Sequence, residues 1–264
     1  MQSSRRIDPS DGASSIFNGL RVAVTGGTSG LGVALVRELH TRAAHVAFVA
    51  RGRERVAQLE REMAGTAGVV GDVSRKEDIH PITLQILARL GGLDVLINNA
   101  SHLGPVPLAL LADTECEELQ HALDTNVLGP FRLTRALLGA LAASARDGRG
   151  ALIVNVSSDA AVTAYPSWGA YGASKAALHH LTRIWDAELG AEGIRFLSLD
   201  PGDMDTPLHA LAVPEADPAT LKRPDDAARE FLTAIAAALP GGRLASSLAE
   251  GSGALDRESG ALTA

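Results

Sequence analysis

Short apolar runs alternate with helical stretches along most of this chain, and that alternation constrains the fold more than any other feature. The runs are Arg21–Thr25, His45–Ala50, one ending at Val69-Val70-Gly71, Leu93–Ile97, Ala151–Val156 and Ile194–Leu199. Helical patterns fill the intervals: Leu31–Ala43, about Glu54–Ala64, about Lys76–Leu90, Thr114–Ala145 with a break near Asn126, and about Trp168–Leu189. Strands this short and apolar on both faces belong in a parallel sheet covered on each side. Right-handed crossovers make that a doubly wound α/β sheet in three layers, αβα. A chain of 264 residues suffices for one such core.

The expected boundaries follow from where this alternation lapses. Residues 1–18 are polar and unpatterned and read as a flexible arm. Residues 19–246 form a single domain, interrupted at about 203–224 by a Pro-rich segment in the position of a substrate loop. A helix is expected at Asp225–Leu239 and a short last strand at Gly242–Ala245. Residues 247–264 carry too little apolar surface to pack and read as a disordered tail.

Composition removes several functions. A net charge of -7 argues against a nucleic-acid partner, whose phosphates need a basic surface. Cys116 is the only cysteine, so no internal disulfide forms, and no Cys or His cluster has metal-ligand spacing. His179-His180 reads as helix surface. The N-terminal residues contain no apolar run of the signal-peptide type and no stretch reaches membrane-spanning length, so a cytoplasmic protein is expected.

Two constellations carry chemistry. Directly after the first strand comes Thr25-Gly26-Gly27-Thr28-Ser29-Gly30-Leu31-Gly32. Glycines at a strand-to-helix turn let the backbone approach a pyrophosphate, and the helix start offers free N–H groups with a positive dipole end. The second strand ends at Ala50-Arg51, where an acid would bind a ribose 2′-hydroxyl and an arginine a 2′-phosphate. NADP(H) is therefore expected ahead of NAD(H). Further on, Tyr171 and Lys175 stand four residues apart, on one helical face, with Ser158 thirteen residues before the tyrosine. An ammonium beside a phenol lowers the phenol's pKa and suits it to proton exchange. With two tyrosines and three lysines in the chain, chance gives this spacing only about 0.02 times. Pro130 cannot donate to the carbonyl of Asn126, which leaves that carbonyl free to hold a water.

Together TGGTSGLG, Asp72, Asn98-Asn99-Ala100, Asn126, Ser158, Tyr171, Lys175 and Pro201-Gly202 resemble, in order and spacing, the short-chain dehydrogenase/reductase family. The resemblance spans roughly residues 20–210, and its TGxxxGxG spacing is that of the compact branch rather than the epimerase branch. It implies a single-domain Rossmann fold that transfers hydride between a nicotinamide cofactor and a small carbonyl or alcohol. The implied proton donor is Tyr171, with Lys175 lowering its pKa and binding the nicotinamide ribose. Ser158 is implied to hold the substrate oxygen, and Asn126 to support a proton relay through water. The implied cofactor contacts are Gly26, Thr28, Ser29, Gly30, Leu31, Arg51, Asp72, Val73, Asn98 and Ala100, with Asn98 implied to support the sheet as well. On the nicotinamide side they are Tyr171, Lys175, Pro201, Gly202 and Thr206.

Two departures stand out. The family's NNAG is NNAS here, with Ser101, and its Val-Asp-Gly-Gly ending is missing. A homodimer or homotetramer is still expected through the helices carrying Asn126 and Tyr171. Leu103, Val106, Ala160, Tyr165, Trp168, Met204 and Leu208 are the expected pocket walls, with Asp159 and Asp203 as polar groups among them. A non-catalytic nucleotide sensor and an epimerase or dehydratase are the rival readings. The first needs no Ser158, Tyr171 and Lys175 together, and the second needs the other glycine spacing.

Overall fold

The computed structural model describes residues 16–239. The last strand expected at Gly242–Ala245, the tail and residues 1–15 lie outside them. The sheet is formed by β1 (Arg21–Thr25), β2 (His45–Ala50), β3 (Ala67–Val70), β4 (Val95–Asn98), β5 (Ala151–Val156) and β6 (Ile194–Leu199). All pairings are parallel, in the order β3-β2-β1-β4-β5-β6. The crossovers are α1 (Gly30–Thr41), α2 (Arg53–Glu62), α3 (Lys76–Leu90), α4 (Cys116–Leu123), α5 (Gly129–Arg146) and α6 (Gly169–Leu189). Two more helices follow, α7 (Pro207–Ala212) and α8 (Pro224–Ala238).

Period-two alternation explains why both sheet faces are dry. Val22, Val24 and Phe48 point into one core with Leu35 of α1 and Phe231 of α8. Their neighbours Ala23, Ala47 and Val49 point into the other, with Ile82 of α3 and Leu133 of α5. Each fully buried Leu, Ile or Phe among them stabilises the sandwich by about 1.5–3 kcal/mol before cavity terms. Phe17, expected in the loose arm, is 1% exposed and joins the first core, so the domain begins earlier than position 19.

The break near Asn126 takes a specific form. Residues Asp124–Leu128 form a π-helical turn between α4 and α5, and the N–H of Gly129 reaches back five residues to the carbonyl of Asp124. The hydrogen-bond ladder is out of α register just where Pro130 has no N–H to give. In the segment after β6, Thr206 caps α7 by accepting from the N–H of His209 at 3.2 Å.

In this strand order the winding of the sheet reverses between the parallel neighbours β1 and β4. A crevice opens there, beyond the strands' carboxyl ends, where open α/β sheets bind ligands.

Candidate active site

A cavity of about 860 Å³ occupies that crevice. Its floor is the turn from β1 into α1. Gly26 has φ +66°, and a Cβ there would lie 2.9 Å from Asn99 Nδ2 and 3.0 Å from the Cα of Ala100. A Cβ on Gly32 would lie 2.1 Å from the carbonyl oxygen of Gly26, so only glycine fits either position. Asn99 locks this turn by donating through Nδ2 to the carbonyl of Thr25 at 2.9 Å. The hydroxyl of Thr25 accepts in return from the N–H groups of Asn99 and Ala100, each at 3.0 Å. At the start of α1, Ser29 makes no side-chain cap and the first turn holds no acid. The free amides and dipole end of that helix therefore face the cavity, a fit for a pyrophosphate.

Most expected cofactor contacts line this cavity. Gly26, Thr28, Ser29, Gly30 and Leu31 form its floor, and Arg51, Asp72, Val73 and Ala100 its far end. Asp72 is partly committed locally, since its Oδ1 accepts from the N–H and hydroxyl of Ser74 at 2.9 and 2.7 Å. Pro201, Gly202 and Thr206 close the opposite side, and the Thr206 methyl sits against Gly30.

Asn98 corrects one half of its expectation and keeps the other, the support of the sheet. It does not line the cavity; its Nδ2 donates to Asn155 Oδ1 at 2.8 Å inside the sheet, and Asn155 Nδ2 donates to Thr182 Oγ1 at 2.9 Å. Consecutive strand residues face opposite ways, so Asn99 takes the cavity side and Asn98 ties β4 to β5.

Tyr171, Ser158 and Lys175 meet on the cavity wall. Tyr171 is 7% exposed, and its ring lies 5.5 Å, centroid to Nζ, from Lys175. Lys175 is buried and donates to the main-chain carbonyl of Val156 at 2.8 Å. The side chain therefore ties the helix of Tyr171 to the end of β5, where Ser158 follows two residues on. The expected acidic phenol is not what burial produces. Desolvation pushes Tyr171 up to about 12, while the neighbouring hydroxyls of Ser158 and Ser101 act in the opposite direction. Desolvation also brings Lys175 down to about 8.

Asn126 is completely buried and does not line the cavity. Its Oδ1 accepts from the N–H of His102 at 2.8 Å and from Ser101 Oγ at 3.3 Å. Its Nδ2 donates to the His102 carbonyl and to Ser174 Oγ, both at 2.8 Å. The side chain thus fastens the loop after β4 to the helix of Tyr171.

Sequence reasoning missed two contacts in the cavity. Ser101, the departure from NNAG, puts a hydroxyl beside Tyr171, and the departure itself was the signal. Asp159 accepts from Ser158 Oγ at 3.0 Å and from the Tyr165 hydroxyl at 2.7 Å. The apolar wall is as expected for Leu103, Ala160, Tyr165, Trp168, Met204 and Leu208, whereas Val106 lies outside the cavity and is 48% exposed. Among the described residues no group of His, Cys, Asp or Glu could hold a metal ion, and no helix is long and apolar enough to cross a membrane.

A doubly wound sheet with a glycine turn and a Ser, Tyr and Lys set at one crevice defines a nicotinamide-nucleotide oxidoreductase. Residues 21–216 match the family model described as short chain dehydrogenase, and the chain belongs to that family. It is 32% identical over 203 residues to an L-fucose dehydrogenase of Mus musculus, covering 76% of this chain and 72% of that protein. A short chain dehydrogenase from Shigella flexneri complexed with NADP superposes with TM-score 0.75 at 25% identity, over 83% of this chain and 92% of the other. A 3-ketoacyl-(acyl-carrier-protein) reductase from Brucella melitensis complexed with NADH does so with TM-score 0.75 at 25% identity, over 81% and 90%. The chain is a dehydrogenase/reductase that binds a nicotinamide dinucleotide and acts on a small molecule.

Proposed function

We propose that this enzyme interconverts a ketone or aldehyde and its alcohol with NADP(H), using Tyr171 as the proton donor and acceptor. The carrying observation is that Tyr171, buried and protonated at neutral pH, shares one cavity with the uncapped start of α1 and with Ser158. When bound, the nicotinamide ring supplies or takes the hydride. The chain's own residues do the rest. The phenol O–H donates to the substrate oxygen as negative charge develops there. Ser158 lies beside that oxygen's position and stabilises the charge with a second hydrogen bond. Lys175 keeps its proton near neutral pH, and its ammonium offset from the Tyr171 ring favours the phenolate that proton donation leaves behind. Val156 takes one of its three N–H donors, and the others are available to the nicotinamide ribose.

Arg51 supports NADP(H) over NAD(H). It lines the far end of the cavity at the end of β2, preceded by Ala50 rather than an acid, and a guanidinium matches a phosphate bidentately. The names of the relatives cover both directions, a dehydrogenase in the mouse protein and a reductase in the Brucella one.

The test is consumption of NADPH, followed by absorbance, over a panel of ketones and aldehydes, repeated on Tyr171→Phe. The variant should lose about 100- to 10,000-fold in turnover, the usual range for a positioned general acid. Full activity in Tyr171→Phe would overturn the assigned donor. A protein that binds NADPH and consumes none with any carbonyl would instead be the sensor.

A further inference from the structure

Ser158 has a competing commitment in the structure. Its hydroxyl donates to Asp159 Oδ1 at 3.0 Å, while its oxygen accepts from the N–H of Ala160 at 3.2 Å. A serine has one proton to give. While Asp159 holds it, Ser158 cannot donate to the oxygen of a bound substrate. The other carboxylate oxygen is engaged by the Tyr165 hydroxyl at 2.7 Å, which fixes the carboxylate in place on the cavity wall. These hydrogen bonds, that from Tyr165 foremost, hold Asp159 below the usual carboxylate range, so it stays an anion across neutral pH.

We infer that Asp159 is a specificity-determining residue that selects substrates bearing an N–H or O–H donor on the carbon next to the reacting one. The inference rests on the carbonyl-reductase reading above and names the substrate class for that site. Ser158 must meet the reacting oxygen, and its hydrogen bond to Asp159 puts the carboxylate one contact further along the same wall. A hydroxyl or ammonium on the adjacent carbon is the substrate group that comes nearest to it. Once that group donates to Oδ1, it takes the place of the Ser158 proton, and the serine hydroxyl is free to turn to the reacting oxygen. The substrate thus releases the group that activates it. A plain ketone has nothing to offer Asp159 and leaves Ser158 tied.

The surroundings agree with a substrate that has both polar and apolar parts. His209 lines the same cavity with a buried Nδ1 that has no partner, and its Nε2 stands 3.9 Å from Asp203 Oδ1. Leu103, Ala160 and Trp168 line the same cavity and offer apolar surface to a hydrocarbon ring or chain. Carboxylates at positions 159 and 203 disfavour an anionic substrate.

The experiment compares a cyclic ketone, its α-hydroxy derivative and its α-amino derivative, all of one ring size, on the wild type, Asp159→Asn and Asp159→Ala. In the wild type kcat/KM for the better donor-bearing substrate should exceed that of the plain ketone by about 10- to 100-fold, the worth of one hydrogen bond to a charged group. Much of the gain should sit in kcat, because a freed Ser158 acts on the transition state. In Asp159→Ala the ratio should fall to near one, with the plain ketone gaining turnover as Ser158 is untied. Asp159→Asn keeps the shape and should give an intermediate ratio. Which of the two derivatives leads identifies the donor as a hydroxyl or an ammonium. Equal turnover of all three ketones by the wild type would overturn the inference and leave the reductase reading standing. An equal loss on all three in both Asp159 variants would also overturn it, since Asp159 would then only hold the loop. No turnover of any ketone or aldehyde, with either cofactor, would instead remove the reading beneath.

Discussion

Lys175 Nζ donates to the carbonyl of Val156 at 2.8 Å from an almost fully buried position, so a cation there is a burden on the fold. Burial brings its pKa from 10.5 to about 8. Between these values the unfolded chain holds a proton that the folded one has released, and stability rises with pH. Below about pH 8 the charged, desolvated form costs roughly 3 kcal/mol. Lys175→Met should therefore be inactive yet more stable at pH 7, with its midpoint of thermal unfolding raised by roughly 5–10 °C. The advantage over the wild type should shrink as the pH goes from 8 to 10. A variant less stable than the wild type at pH 7 would mean that the hydrogen bond to Val156 outweighs the desolvation.

Arg51 is exposed at the end of β2, so its contribution falls on cofactor choice rather than on the fold. Arg51→Ala should lower kcat/KM for NADPH by about 10- to 100-fold, the loss of a charge-assisted pair with a phosphate. The value for NADH should stay within about twofold, since NADH brings no 2′-phosphate. Steady-state kinetics with both nucleotides decides this. Parallel losses with the two would show that Arg51 contacts something the cofactors share.

Sequence reading recovered what local pattern specifies. The alternation of runs gave the sheet, the glycine turn marked the floor of the cavity, and the four-residue offset paired Tyr171 with Lys175. It failed where a residue's partner is remote or its environment decides. Asn98 and Asn99 are adjacent in sequence and differ only in which face they take, and that depends on where β4 ends. The pKa of Tyr171 was expected low from its neighbour, whereas the depth of burial governs it. The Ser158–Asp159 contact joins neighbours, but nothing in the letters says which way the two side chains turn.

The buried side chain of Asn126 meets four partners from two segments, the loop after β4 and α6. Asn126→Ala would leave the N–H and carbonyl of His102 without partners, at about 1–3 kcal/mol each. The variant should lose roughly 2–5 kcal/mol in urea unfolding. It should also lower kcat for carbonyl reduction more than it raises KM for NADPH, because the loop it holds carries Ser101 to the side of Tyr171. A fully stable Asn126→Ala would show that water replaces the amide without cost.

Asp94 is the least legible residue of the fold, because the two arginines that meet it lie 73 and 55 positions away. It has no exposed surface, and burial alone would raise its pKa. Hydrogen bonds from Arg21, from Arg149 and from Ser144 (2.6 Å) outweigh burial and hold the carboxyl well below the usual carboxylate range. A carboxylate lowered in the folded state stabilises above its unfolded pKa of about 3.9, and that stabilisation drains away as the pH falls below it. Arg21 and Arg149 are 19% and 42% exposed, so both reach water if Asp94 is neutralised, and the penalty stays below that of a wholly buried pair. Asp94→Asn should cost about 1.5–3 kcal/mol at pH 7 by urea unfolding. The gap to the wild type should narrow as the pH falls below about 3.9, because the unfolded wild-type chain takes up a proton there that the folded carboxylate still refuses. An equal gap at pH 7 and at pH 2 would mean that Asp94 acts through its shape and neutral hydrogen bonds rather than through its charge.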